Sequence, residues 1–354
     1  MTSHHLPPRD VTDTLHPYES LTPDAVVDAL SGVGLNADGR LMSLNSYENR
    51  VYLAHLEPAS PAQDAVPDAV VLKFYRPGRW SEAQILEEHR FAAELMAADI
   101  PVIGPLALQE RTLHRFGDFW FSVSPRRGGR RPELDDVEVL EWIGRFLARI
   151  HTVGAARPFA DRPALDIASF GTEPADWLLE HQIIPLDVQG RWRAACRDAL
   201  KMIADSGLGT GAGGLNVQKI RLHGDCHPGN ILWTPADEPG GGPHFVDLDD
   251  ARTGPAVQDL WMLLSGERGE RTRQLSALLD GYEQMRDFDR SELALIEPLR
   301  TLRLIHYSAW LARRWEDPIF PANFPWFGSS DYWQGQVQML VEQAEAMQEP
   351  PLVV

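Results

Sequence analysis

Apolar residues recur along this chain with two different periods, and the change from one to the other divides it. Before about residue 125 the runs RLMSL (40–44), RVYLAHL (50–56), AVVLKFY (69–75) and GDFWFSVSP (117–125) are short and alternating or β-branched, with polar links such as NSYEN between them. Such runs predict strands, and the first three predict a small antiparallel sheet; IGPLALQER (103–111) reads as a further strand. Helical spacing opens the chain at TPDAVVDALSGVG, where Thr22 can cap and Pro23 fits the first turn. Gly32-Val33-Gly34 at its end precedes the first strand and reads as a helix stop and turn. Beyond the Gly/Arg-rich PRRGGRRPEL the pattern is mainly helical. DVEVLEWIGRFLARIH sets Leu140, Ile143, Leu147 and Ile150 on one face, and further helices are predicted at 190–205, 256–265, 271–286, 290–316 and 331–348. The expectation is an α+β, bilobal architecture, with a sheet-bearing lobe over 1–125 and a helical lobe over 126–354.

One helix carries an anomaly. In SEAQILEEHRFAAELMAADI, Ser81 is a natural cap, and the apolar stripe Ile85, Phe91, Ala92, Leu95 includes Glu88. A carboxylate in a buried stripe needs a cationic partner, and the lysine nearest in sequence is Lys73, on the third strand. That pair could grip nucleotide phosphates; equally, Glu88 could reach out to solvent. An error of one residue in the helix frame turns it by about 100° and would put Glu87 in its place.

Composition narrows the field. The 354 residues suit two lobes, and 44% hydrophobic with 24% charged residues is ordinary for a globular protein. A net charge of −18 disfavours nucleic acid and anionic membrane as partners. Two cysteines, Cys196 and Cys226, are too few for a disulfide framework. With no apolar leader in MTSHHLPPRDVTDTLHPYES and no run long enough for a membrane span, a cytoplasmic, monomeric protein is expected. EPASPAQDAVPDA and DEPGGGPH read as loops.

The densest chemistry lies in RLHGDCHPGNILW. Zinc would need three or four converging soft or imidazole ligands; His223, Cys226 and His227 could offer three, but their spacing fits no common zinc pattern. The oxygens suggest otherwise. Asp225 is followed five residues on by Asn230, and after a short apolar strand comes Asp247-Leu-Asp249-Asp250. Such hard donors suit magnesium. An Asp, an Asn five residues later and a strand-borne Asp is the arrangement of the catalytic and metal loops of protein kinases, with HGDxHxxN in place of the H-R-D form. His151 and His223 read as makers of backbone hydrogen bonds around the loop, and Cys226 as a small packed residue. Asp259 reads either as a helix cap or as a brace for the loop backbone.

Several blocks, LNSYENRVY, QILEEH, RLHGDCHPGNILW, FVDLDDARTGPAVQDLWMLL and FPANFPW, together resemble the bacterial stress response kinase A family, whose members are Ser/Thr protein kinases in the aminoglycoside and choline kinase-like branch. Departures fall in loops: the EPASPAQDAVPDA insert, the triglycine 240–242 and a longer N-terminus. The resemblance implies ATP as co-substrate, Mg2+, and a protein substrate with a Ser or Thr acceptor. It implies Asp225 as proton acceptor, Asn230 and Asp247 as magnesium ligands with Asp247 also an essential acid, and Ser46 beside ATP. Read from the residues alone, NSYEN could offer Ser46 and backbone N–H groups to phosphate, or be a plain hairpin. Two other functions fit the same motifs. One is a small-molecule kinase, which a carboxylate-ringed acceptor pocket would favour; the other is a non-catalytic nucleotide-binding regulator, which the complete set Lys73, Asp225, Asn230 and Asp247 argues against. The tryptophans at 310, 315, 326 and 333 read as packing, some of them bordering the substrate cleft.

Overall fold

The computed structural model describes residues 16–58, 67–208 and 217–354. The expectations for the N-terminal stretch and for the middle of the 57–69 loop lie largely outside those residues. A first helix, α1 (Pro23–Gly32), is capped by the Thr22 side chain and precedes three strands, β1 (Ala37–Leu44), β2 (Arg50–Leu56) and β3 (Ala69–Phe74). Helix α2 (Glu82–Ala97) follows, then β4 (His114–Phe116) and β5 (Phe119–Pro125). All five strands form one antiparallel sheet in the order β1-β2-β3-β5-β4. The stretch 103–111 is not the strand its apolar residues predict. Gly104 and Pro105 break it, and only single bridges and bonds tie the region down, such as Leu106 N–H to the Val123 carbonyl.

Alternation along β3 decides the position of the anomalous lysine. Val70, Leu72 and Phe74 are fully buried against α1 and the flanking strands, so Lys73 points from the opposite face of the sheet, toward α2. On α2 the Ser81 capping box is formed, and Phe91, Ala92 and Leu95 pack into the core of the helical part while Ile85 packs with Tyr75 and Leu113.

The remainder is mainly helical, comprising α3 (Val137–Ala155), α4 (Glu173–Glu180), α5 (Leu186–Asp205), α6 (Val257–Trp261), α7 (Arg268–Tyr282), α8 (Ile296–Arg313), α9 (Ile319–Asn323) and α10 (Ser330–Ala346). Leu140, Ile143, Leu147 and Ile150 of α3 are buried, as their spacing predicts. The helices expected at 190–205 and 271–286 run Leu186–Asp205 and Arg268–Tyr282, and two further boundaries differ for a clear reason. The helix expected over 290–316 is a 3-10 segment, Arg290–Leu295, followed by α8, because Pro298 has no N–H to donate and belongs in the first turn of a new α-helix. The helix expected over 256–265 ends at Trp261, before the positive-φ Gly266. Helices α4 and α9, eight and five residues long, are too short for a periodic signal. Among the helices, short strands carry the chemistry: β6 (Ile220–Leu222) pairs with β9 (Arg252–Gly254), and β7 (Ile231–Thr234) with β8 (Gly242–Phe245). No helix of the described residues is long and apolar enough to cross a membrane.

Candidate active site

The HGDCHPGN segment runs from β6 to β7 as a loop closed by a 3-10 turn, Pro228–Asn230. It is held from beneath by Asp259, whose carboxylate accepts the N–H groups of His223 (2.8 Å) and Gly224 (2.9 Å). Asp259 makes no cap for α6, so of its two sequence readings the geometry matches the brace. His151 does not bond to backbone as expected. Its Nε2 meets Asp259 at 3.1 Å and its Nδ1 meets the Tyr282 hydroxyl at 3.0 Å, because the end of α3 lies directly under the loop. Burial raises the Asp259 carboxyl, but the His151 bond and the loop N–H groups outweigh it and hold the pKa below the usual aspartate value. His223 does bond backbone, Nε2 to the Val246 carbonyl at 3.0 Å.

Gly224 has φ +85°, and a Cβ there would stand 2.1 Å from the Asp250 carbonyl oxygen, so this position tolerates only glycine. Asp225 follows, with its carboxylate partly exposed. Asn230 Nδ2 donates to the Asp225 carbonyl at 2.9 Å, Arg303 of α8 brings a guanidinium nitrogen to 2.8 Å from Asp225 Oδ1, and His227 Nε2 is 3.6 Å from Oδ2. Cys226 faces the core fully buried; burial and the neighbouring Asp259 and Asp225 push its thiol well above the ordinary range, which matches a packed residue rather than a metal ligand. The three zinc candidates therefore do not converge, and no cluster of three or more His, Cys, Asp or Glu able to hold a metal occurs among the described residues.

Asn230 and Asp247 are brought together by the backbone, since Val246 N–H donates to the Asn230 carbonyl at 3.0 Å. Asp247 takes a left-handed conformation, φ 61°, that turns its half-exposed carboxylate toward the sheet. There it meets Lys73, whose ammonium lies 3.0 Å from Asp247, 3.1 Å from Asp249 and 3.7 Å from Glu88. Burial opposes the charge on Lys73, yet the three carboxylates outweigh it and raise its pKa well above the ordinary lysine value. Glu88 also faces Arg162 at 3.4 Å; burial dominates there and raises its carboxyl. Glu87 has a different task, accepting the N–H groups of Ala160, Asp161 and Arg162 at 2.6–2.9 Å. Of the two candidates, Glu88 is the one placed against Lys73.

Sequence reasoning missed the residues that lock the sheet to this site. Asp249, 2% exposed, accepts from Asn49 (3.1 Å) and forms ion pairs with Arg79 and Lys73, which hold it down at about 2 against the effect of burial. Arg79 also reaches Asp250 at 2.9 Å. Ser46 sits half-buried in the β1–β2 turn, which is anchored by its neighbours. Glu48 pairs with Arg76 (3.1 Å) and Arg314 (3.0 Å) and accepts from the Trp310 indole (2.5 Å), while Asn49 Oδ1 accepts the Arg76 N–H. Arg50 and Arg76 converge on Asp317 at 2.7 and 2.6 Å. The run Asp247-Leu-Asp249-Asp250 was the available signal for Asp249; Arg76 and Arg79 lie in the link between β3 and α2, Arg50 opens β2, and none of them stands in a periodic pattern.

Residues 42–296 match the phosphotransferase enzyme family. Stress response kinase A of Escherichia coli K12 is 43% identical over 95% of this chain and 96% of its own length. Ser/Thr protein kinase RdoA of Salmonella typhimurium is 43% identical over 97% of this chain and 98% of its own. The chain belongs to the stress response kinase A family. This kinase also shares its fold with amicoumacin kinase hAmiN, solved with AMP-PNP, Ca2+ and Ami, at a TM-score of 0.67, 18% identity and coverage of 95% and 96% of the two chains. The α+β kinase-like architecture read from the sequence is the one the chain adopts.

Proposed function

We propose that the kinase transfers the γ-phosphoryl group of ATP, with magnesium, to the hydroxyl of a serine or threonine in a protein. The observation that carries the reading is the convergence, through Val246 N–H and the Lys73 ion pairs, of Asp225, Asn230, Asp247 and Lys73 at one junction between the sheet and the helical part. The division into two lobes near residue 125 belongs to the same proposal.

In transfer, the bond from the γ-phosphorus to the bridging oxygen of ADP breaks and a bond to the acceptor oxygen forms. Asp225, held on a fixed loop, orients the acceptor hydroxyl and takes its proton. Lys73, steadied by Glu88, engages the phosphates, and the β1–β2 turn with Ser46 covers them. Asn230 and Asp247 present hard oxygen donors with solvent access, which fits a metal that keeps water and phosphate ligands rather than a closed protein cage. Magnesium bound there would neutralise phosphate charge. The protein substrate is supported by the relatives at 43% identity, one of them named a Ser/Thr protein kinase. A small-molecule acceptor is the competing reading, favoured by the fold shared with amicoumacin kinase.

Incubation with labelled ATP, Mg2+ and parallel panels of proteins and small alcohols tests the choice. Label entering proteins on Ser or Thr is expected; label entering only small alcohols overturns the substrate class. Asp247→Ala is expected to weaken both Mg-ATP affinity and rate, and an unchanged titration would remove Asp247 from the metal role.

A further inference from the structure

One face of α8 leads away from Asp225, and its chemistry is selective. Arg303, Tyr307, Trp310 and Arg314 recur at helical spacing along it. Arg303 sits on Asp225 at 2.8 Å, yet its side chain keeps 38% exposure, so a guanidinium with five N–H donors has some left for a second anion. Tyr307 stacks on Trp310 with ring centres 5.5 Å apart and planes 26° apart. Phe324 meets Trp310 edge-on at 6.0 Å and Tyr47 at 4.9 Å, and Tyr47 and Trp326 are 38% and 45% exposed. Arg303 and Tyr47 both lie close enough to Tyr307 to act on its hydroxyl. From Arg303 to Trp310 the helix rises about 10 Å, the span of roughly three extended residues.

Three carboxylates near this face are already paired with arginines. Glu48 is held by Arg76 and Arg314, Asp317 by Arg50 and Arg76, and Glu173 by Arg313. A cationic acceptor would thus meet Arg303 at the reacting carboxylate with no acid in exchange. The overall charge of −18 would draw cations from afar, but at physiological salt that field is screened beyond about 8 Å, whereas Arg303 acts in contact.

We propose that this face of α8 is the acceptor-binding surface and that Arg303 selects hydroxyl acceptors with a carboxylate close to the hydroxyl: polypeptide segments with Asp or Glu within two residues of the Ser or Thr. The acceptor carboxylate pairs with Arg303, and the segment lies over Tyr307 and Trp310. The inference rests on the protein-kinase reading for its substrate and on Asp225 as the reacting group.

The test uses the full chain with Mg-ATP and serine peptides flanked by Glu, Ala or Arg, beside three small alcohols, glycerate, glycerol and aminopropanol, with kcat/KM as readout. Glu-flanked peptides are expected to exceed Ala-flanked ones by about tenfold or more, as a charge-assisted hydrogen bond gives. Arg303→Glu should reverse the order in favour of Arg flanks, and Arg303→Lys should keep it. Arg303→Gln should flatten it, and replaces the reversal test if Arg303→Glu does not fold. Peptide phosphorylation indifferent to flanking charge, or a preference that survives both Arg303→Glu and Arg303→Gln, overturns the subsite and leaves the protein-kinase reading standing. Inert peptides with glycerate preferred, and that preference lost in Arg303→Gln, would keep the subsite and overturn the protein substrate. Transfer to neither set overturns both.

Discussion

The HGDCHPGN loop and the seam between the sheet and the Asp247–Asp250 segment are both fixed in place, by opposite means. The loop is gripped by its backbone, with Asp259 holding two successive N–H groups, His151 holding Asp259 and Tyr282 holding His151, all of it buried. The seam is joined at side-chain tips, where Lys73, Arg79, Arg76 and Arg50 share Asp247, Asp249, Asp250, Glu48 and Asp317. Backbone anchoring gives one geometry. Shared ion pairs leave alternatives: Lys73 can turn among Glu88, Asp247 and Asp249, Arg79 between Asp249 and Asp250, and Arg76 between Glu48 and Asp317. Phosphates arriving at Lys73 could take the place of Asp247 while Glu88 and Asp249 keep their hold. In the proposed mechanism, a reacting group fixed through its backbone would work beside a nucleotide grip made of shared ion pairs.

The sharpest difference should come from substitutions inside the loop. Asp225→Asn is expected to leave folding and ATP binding intact while phosphotransfer falls by about 10²–10⁴-fold, measured by turnover beside nucleotide titration. Near wild-type turnover would take the proton-accepting role from Asp225. Removing the anchor should cost the fold as well: Asp259→Ala strands two loop N–H groups and His151, and a loss of about 3 kcal/mol in denaturant unfolding is expected, together with lost activity. A fully active, equally stable variant would show that the loop holds its shape unaided.

The seam should answer to pairs rather than to single residues. Lys73→Met and Glu88→Gln should each weaken nucleotide use, and the double variant should fall short of additivity by about 1–2 kcal/mol, whereas Lys73→Met with Glu87→Gln should be additive. Coupling to Glu87 instead would reverse the assignment. The smallest effect tests the floor beneath the loop. Glu292 is buried, accepts the Val257 N–H at 2.8 Å at the start of α6, and has its carboxyl raised to about 7, chiefly by burial. Since the folded protein holds this proton more tightly than the unfolded chain, stability conferred by the protonated form is present below about pH 4.5 and is lost as pH rises toward 7. Glu292→Gln should therefore gain about 1 kcal/mol over wild type at pH 8 and nothing at pH 4.5; equal thermal midpoints at both would contradict the raised value.

These regions also differ in how far the sequence discloses them. The loop residues are adjacent in the chain, so Asp225, Asn230 and the run from Asp247 stand out at once, and the stripe on α2 points Glu88 inward as found. What holds these residues comes from far away. Arg162 reaches Glu88 across 74 positions and Arg303 reaches Asp225 from α8, both without any motif that ties them to the loop. Glu87 is buried on backbone N–H groups, partners that leave no trace in side-chain pattern. The false strand at 103–111 and the short helices α4 and α9 mark the same limit, since local apolar content does not record which backbone groups find partners.

Gly224 carries a consequence for how such a motif can change over time. The bare α-carbon lets the carbonyl of Asp250 come to where a Cβ would stand, so the HGDCHPGN loop and the Asp247–Asp250 segment are nested at a separation that only glycine permits. An arginine at this place, as in the H-R-D form, would carry a Cβ into the Asp250 carbonyl, so the two segments would have to stand further apart to accept it.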